Sequence, residues 1–182
     1  WFLGSIVMGR SPLLASQHII LFSEFDNTGN ISSIGFYLQT SEVNTTRSLE
    51  IYLNTTTKSA FSAFDSNFFS AGTKVFDGDV SVVSGDWYTI GITPFEYDGT
   101  KNLLLTIYDK SNKRGTTGGA KQHKVTDMST NRSMFTSKGS DQSISVSTST
   151  SGTKSTLVPY IKFTIGSDAP VVTPTLTLDK NS

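Results

Sequence analysis

The sequence predicts an all-β protein, a two-sheet antiparallel β-sandwich of jelly-roll-like type. Three observations carry that expectation. Apolar residues alternate with polar ones over short runs, turn residues punctuate those runs at close spacing, and no window of helical periodicity exceeds two turns. Composition agrees: 27 Ser and 25 Thr stand among 182 residues, Thr favouring strands and Ser favouring turns.

The first candidate strand is QHIILF, Gln17 to Phe22, followed by the turn DNTGN at Asp26 to Asn30. ISSIGFYL then places Ile34, Phe36 and Leu38 on one face, and RSLEIYL does the same for Leu49, Ile51 and Leu53. Residues 54–72, with FSAFDSNFF embedded, read as a long loop holding one helical turn. Strands are expected over Lys74 to Val83 and Trp87 to Thr93, joined by Ser84-Gly85-Asp86. In the second, Tyr88, Ile90 and Ile92 alternate with Trp87, Thr89 and Thr93, while Phe95 and Tyr97 plug a corner of the core. Asn102 to Tyr108 aligns Leu103, Leu105 and Ile107. Residues 110–142 are loop-rich, and SISVSTS at 143–149 and LVPYIKFTI at 157–165 close the domain. That gives about eight strands, the number a jelly roll uses. The domain is expected to span 1–166, with 167–182 a Pro-bearing linker and the first strand of a following module.

Several function classes lose their chemistry at this level. The formal net charge is +0, from 15 basic and 15 acidic residues, so nucleic acid and anionic membranes have no broad electrostatic drive toward the chain. Zero Cys excludes disulfides, thiolate metal sites and a cysteine nucleophile. The opening WFLGSIVMG lacks a basic flank and is too short to cross a bilayer. It reads as part of the fold or as an ordered lead-in, with no transmembrane segment expected, and a start on Trp1 rather than Met points to a processed or excised beginning. The histidines are His18 and His123 alone, and no Gly-x-Ser-x-Gly elbow accompanies them, which disfavours a hydrolytic triad and rules out a three-His zinc site. GTTGGAKQ fails as a phosphate loop, because Ala120 and Gln122 stand where Gly and Ser/Thr are required.

Four sets of residues retain chemical interest. Asp77, Asp79, Asp86 and the four glutamates could supply a glycosidase's two carboxylates, although Asp at turns is ordinary. No motif requires a cofactor, but Asp77-Gly78-Asp79 pairs two hard oxygen donors with flexible backbone, the chemistry of a structural calcium site. Lys110, Lys113, Arg114, Lys121 and Lys124 form a basic loop, read first as solvated and second as a receptor for an anionic glycan or acidic patch. Finally, alternation turns Tyr37, Tyr52, Trp87 and Tyr108 away from the core. Flat aromatic faces beside hydrogen-bonding groups suit sugar rings, the alternative being that these rings pack under loops or against another domain.

The segments SQHIILFSEF, GNISSIGFYL, EIYLNTTTKSAF and TKVFDGDV, with Gly85-x-Trp87, Pro94-Phe95-x-Tyr97-x-Gly99 and Asn102-Leu103-Leu104, resemble Bacteroidetes cell-surface jelly-roll modules related to cleaved-adhesin and MAM-like domains. Asn54-Thr55-Thr56 departs from the Gly and His usual after that pattern's third strand. The tail TLTLDKNS resembles the opening of a BACON-type module. The resemblance implies adhesion or ligand binding rather than catalysis, in an extracellular, cell-surface or periplasmic setting. It implies neighbouring β-sandwich domains of the same chain, and it supplies no catalytic residue. The expected function is therefore a non-enzymatic binding module for a glycan or a host-surface protein. A structural spacer is the first rival and a carboxylate-dependent glycoside hydrolase the second.

Overall fold

Strands with one apolar face must bury that face, and two sheets laid against each other satisfy the need. The computed structural model of the chain describes residues 13–38, 45–82, 86–111, 123–138, 148 and 150–166. Its strands are β1 (Leu13–Ile20), β2 (Gly29–Tyr37), β3 (Thr45–Thr56), β4 (Thr73–Val82), β5 (Trp87–Tyr97), β6 (Asn102–Asp109), β7 (Val125–Asp127), β8 (Ser133–Lys138), β9 (Thr153–Ser155), β10 (Leu157–Pro159) and β11 (Ile161–Gly166). A large sheet runs β4-β3-β6-β1-β8-β9 and a small one runs β11-β2-β5, with β10 and β7 paired apart from both. Every pairing is antiparallel.

The pairs nest. β3 joins β4, β2 joins β5 and β1 joins β6, with the middle pair in the small sheet and the outer two in the large one. This is a long hairpin rolled over on itself, the jelly-roll pattern that the alternation predicted. Among the described residues the only helix is a 3-10 turn at Phe22–Glu24, and no helix is long and apolar enough to cross a membrane.

The core between the sheets gathers Ile34 and Phe36 from β2, Leu49, Ile51 and Leu53 from β3, Tyr88 and Ile90 from β5, and Leu103, Leu105 and Ile107 from β6. Each such side chain contributes roughly 1.5–3 kcal/mol when removed from water. A second cluster (Ala15, Ile19, Phe61, Phe68, Leu104 and Met134) lies on the opposite face of the large sheet. There the 57–72 loop folds over β1, β6 and β8. Buried Gln17 clamps it, its amide donating to the Phe69 carbonyl and accepting from the Phe69 N–H, both at 2.9 Å. Where one helical turn was expected, the chain makes a hydrogen-bonded reverse turn at Ala63-Phe64, the Asp65 N–H donating to the Ser62 carbonyl, and no helix.

Several expected boundaries shift. β1 begins four residues early, at Leu13. β5 continues through Pro94 and Phe95 to Tyr97, because a register shift opposite Ile31–Ser33 absorbs the corner. Tyr97 is buried in the core and Phe95 packs against it. The 157–165 run breaks at Tyr160, where the chain leaves its pairing with β7 and joins β2. The 110–142 stretch contains two strands, β7 and β8. The expected 143–149 strand, apart from Thr148, and the 167–182 linker lie outside the described residues.

One end of the interior is polar. Arg47 and Asp109, with side chains 5% and 0% exposed, form an ion pair between the sheets, and Asp109 also accepts from the Ser111 N–H and hydroxyl. A buried pair of this kind is costly to break one-sidedly. Arg47→Leu should therefore lose about 3–5 kcal/mol of stability in urea denaturation, with Arg47→Leu/Asp109→Leu recovering much of it. A single variant as stable as the wild type would contradict that role.

Candidate functional site

The outward side of the small sheet is the reverse of its core side. Along β2, Phe36 points in and Tyr37 out; along β5, Tyr88 points in and Trp87 out; along β11, Ile161 points in and Lys162 out. The register sets Tyr37 opposite Trp87. Their rings meet edge to face, with centroids 5.6 Å apart and planes at 80°, the arrangement aromatic quadrupoles favour.

Two further groups join them from distant parts of the chain. His123 forms a bridge to Leu38 and is buried, its Nε2 lying 2.8 Å from the Tyr88 hydroxyl. That anchor fixes the next residue, Lys124, on the outside. A closed set of backbone hydrogen bonds then forms: Lys124 N–H donates to Tyr37, Tyr160 N–H to Lys124 and Tyr37 N–H to Tyr160. Lys124 Nζ consequently lies 4.6 Å from the Tyr160 ring centroid and 5.8 Å from that of Tyr37. Lys162 Nζ lies 4.8 Å from the Trp87 ring centroid.

Lys162 reaches Trp87 by crossing β2 at Gly35, its register partner. A Cβ added at Gly35 would fall 2.6 Å from Lys162 Cε and 2.7 Å from Cγ, so the lysine stem occupies the space that any other residue's side chain would fill. Beyond it the face is flat and hydroxyl-bearing: Ser33 opposes Thr164 and Gly91, with the Ser33 hydroxyl donating to Thr164 Oγ1 at 2.7 Å, and Thr89 opposes Gly35. The site is thus a wall of three half-buried rings, capped by two exposed ammonium groups, beside a ledge of Gly, Ser and Thr.

The four aromatics singled out from sequence divide two and two. Tyr37 and Trp87 meet on the small sheet. Tyr52 and Tyr108 lie on the outer face of the large sheet, half-buried, with Tyr108 packed against the second apolar cluster. The Tyr52 hydroxyl donates to Glu50 at 2.6 Å. Glu50 and Asp77 are held between Lys74 and Lys110. Burial acts to raise the Glu50 pKa, but the Tyr52 hydroxyl and the two lysines outweigh it and hold the carboxyl below its ordinary value. Asp77 is likewise lowered, chiefly by Lys110 and Lys74. Neither carboxyl is tuned toward the raised pKa of a general acid.

Asp77 and Asp79 share the outer side of β4. Both Asp77 oxygens accept from lysines, and Asp79 accepts from the Ser48 hydroxyl. A cation there would have to displace those donors. No cluster of three or more His, Asp or Glu suited to a metal occurs among the described residues.

A cavity of ≈ 670 Å³ opens beside β11, lined by Ile20, Phe25, Val158 and Phe163 with Arg132 and Glu24. Arg132 grips both Glu24 oxygens and donates from Nε to the Ile19 carbonyl. The histidines are interior. His18 contacts the Ser133 and Ser16 hydroxyls at 2.8 and 3.1 Å, all buried, so no serine next to a histidine here faces solvent.

No protein-family model, no curated protein and no solved structure matches the chain. Tyr160 and Lys162 were not among the residues singled out from sequence, whereas Lys124 was, as a member of the basic loop. The period of two in YIKFT, continued from Tyr160 to Thr164, was the available signal for Tyr160 and Lys162. The placing of Lys124 beside these rings comes from long-range pairing that no local pattern records.

Two expectations follow. Gly35→Ala should push Lys162 off the Trp87 ring at a stability cost of at most about 1 kcal/mol, since a flexible lysine can move aside; a changed Trp87 fluorescence spectrum is the readout, and an unchanged one counts against the contact. Burial holds both histidines neutral, with pKa values lowered to about 3, His123 adding to the effect on His18. The unfolded chain binds those protons near pH 6.5, so their contribution is complete above that pH and declines as pH falls toward 3. At pH 5 the loss should be about 2 kcal/mol per histidine, halved overall in His123→Gln, before the carboxylates titrate. Flat stability from pH 7.5 to 5 would refute this.

Proposed function

We propose that the chain is a non-enzymatic glycan-binding module of an exported or cell-surface protein, and that it binds through the outer face of its small sheet. The observation that carries this reading is the Tyr37, Trp87 and Tyr160 wall standing beside the Ser33, Gly35, Thr89, Gly91 and Thr164 ledge. A sugar ring offers an apolar C–H face and a rim of hydroxyls. The wall receives the first and the ledge the second. Because Tyr37 and Trp87 sit on paired strands and Tyr160 is held by backbone hydrogen bonds to Lys124 and Tyr37, little conformational freedom is lost on binding.

The export setting draws on the Ser- and Thr-rich composition and on the likeness of the strand motifs to Bacteroidetes adhesin-type modules. The non-enzymatic reading draws on the buried histidines and on carboxyls stabilised in their ionised form. A glycan array tests the proposal. The wild type should retain at least one glycan class, and Trp87→Ala should weaken that retention roughly 10-fold or more, with an unchanged melting curve. A wild-type protein that retains nothing would leave the module a spacer.

A further inference from the structure

We infer that the glycan is acidic, bearing a carboxylate or sulfate, and that Lys124 and Lys162 receive its charge; this rests on the glycan-binding reading above and narrows it.

The two outer faces of the sandwich provide an internal comparison. Both bring lysines onto tyrosine or tryptophan rings. On the large sheet Lys74 and Lys110 are neutralised by Glu50 and Asp77. On the small sheet neither Lys124 nor Lys162 has a carboxylate within 4.0 Å among the described residues; their placed partners are rings. The nearby outward positions, Ser33, Gly35, Thr89, Gly91 and Thr164, carry no acid. Asp86 adjoins Trp87 but accepts from its backbone N–H at 2.6 Å, and Glu96 lies at the far end of β5, opposite Asn30.

The ammonium groups are also held in place rather than left to wander. Lys162 crosses β2 at Gly35, where the missing side chain leaves it room. Lys124 is set by the backbone ring it forms with Tyr37 and Tyr160. Each cation sits on a π-face, which satisfies its charge in part and leaves N–H donors directed outward. A neutral sugar stacking on Trp87 would have to displace Lys162 from that face. An acidic sugar would instead recruit the ammonium, gaining a charge-assisted hydrogen bond while its ring lies along the aromatic wall. The local chemistry therefore favours the charged ligand.

The test is an array of sialylated, uronate-containing and sulfated glycans printed beside their uncharged counterparts, together with poly-glutamate, probed with the full chain. Acidic glycans should be retained roughly 10-fold or more over neutral partners, and less so as salt rises. Lys124→Gln and Lys162→Gln should each weaken retention roughly 5-fold, whereas Lys74→Gln, which makes the same change in net charge on the other face, should not. Melting curves matching the wild type keep the comparison fair. Equal retention of acidic and neutral glycans, lost in Trp87→Ala but not in the lysine variants, would overturn the charge inference and leave the glycan reading standing. Retention of no glycan would overturn both. Retention of poly-glutamate alone, indifferent to Trp87, would replace the glycan with an acidic protein partner.

Discussion

The aromatic end of the small sheet's outer face depends on one interior contact, the hydrogen bond between buried His123 and the Tyr88 hydroxyl. In a strand, fixing one side chain inward fixes its neighbours outward. Tyr88 held in the core presents Trp87, and His123 held beside it presents Lys124. With His123 seated, the backbone ring through Tyr37, Lys124 and Tyr160 can close. The candidate site is thus the other side of the core, and its precision is that of close packing rather than of loops. The same logic explains why neutral histidines are tolerated inside. Their burial disfavours the charged form, and as uncharged rings they serve as polar spacers between the sheets.

Electrostatics then separates two faces that composition alone makes equal. The chain is neutral overall, yet its charges are unevenly matched. Carboxylates cluster with lysines on the large sheet and with Arg132 and Arg47 at the open edge and in the interior. On the small sheet two lysines meet rings instead. A charge count averages these differences away, so function has to be read from placement.

Much of this was legible in the sequence. Alternation in ISSIGFYL, RSLEIYL and NLLLTIY assigned the core correctly, and the same alternation turned Tyr37, Tyr52, Trp87 and Tyr108 outward. What alternation cannot say is which sheet a strand joins. That is why four outward rings proved to occupy two separate faces. The start of β1 and the whole of β8 went unseen where inward residues are polar: Ser16 and His18 face in on β1, and β8 places Ser133 inward and Met134 outward, reversing the expected contrast. The Arg47–Asp109 pair was hidden for the same reason, because a charged residue in a strand reads as solvent-facing until a partner from another strand is placed beside it. Tyr160 and the ring neighbours of Lys124 were hidden by distance along the chain, since only the folded backbone brings these residues to Tyr37.

The most direct test of the account is an NMR titration of the isotopically labelled chain with the glycan that it retains best. Amide and side-chain shifts should concentrate at Gly35, Tyr37, Trp87, Lys124, Tyr160 and Lys162. Shifts concentrated instead around Tyr52, Tyr108, Lys74 and Lys110, or along the cavity holding Arg132 and Glu24, would contradict it.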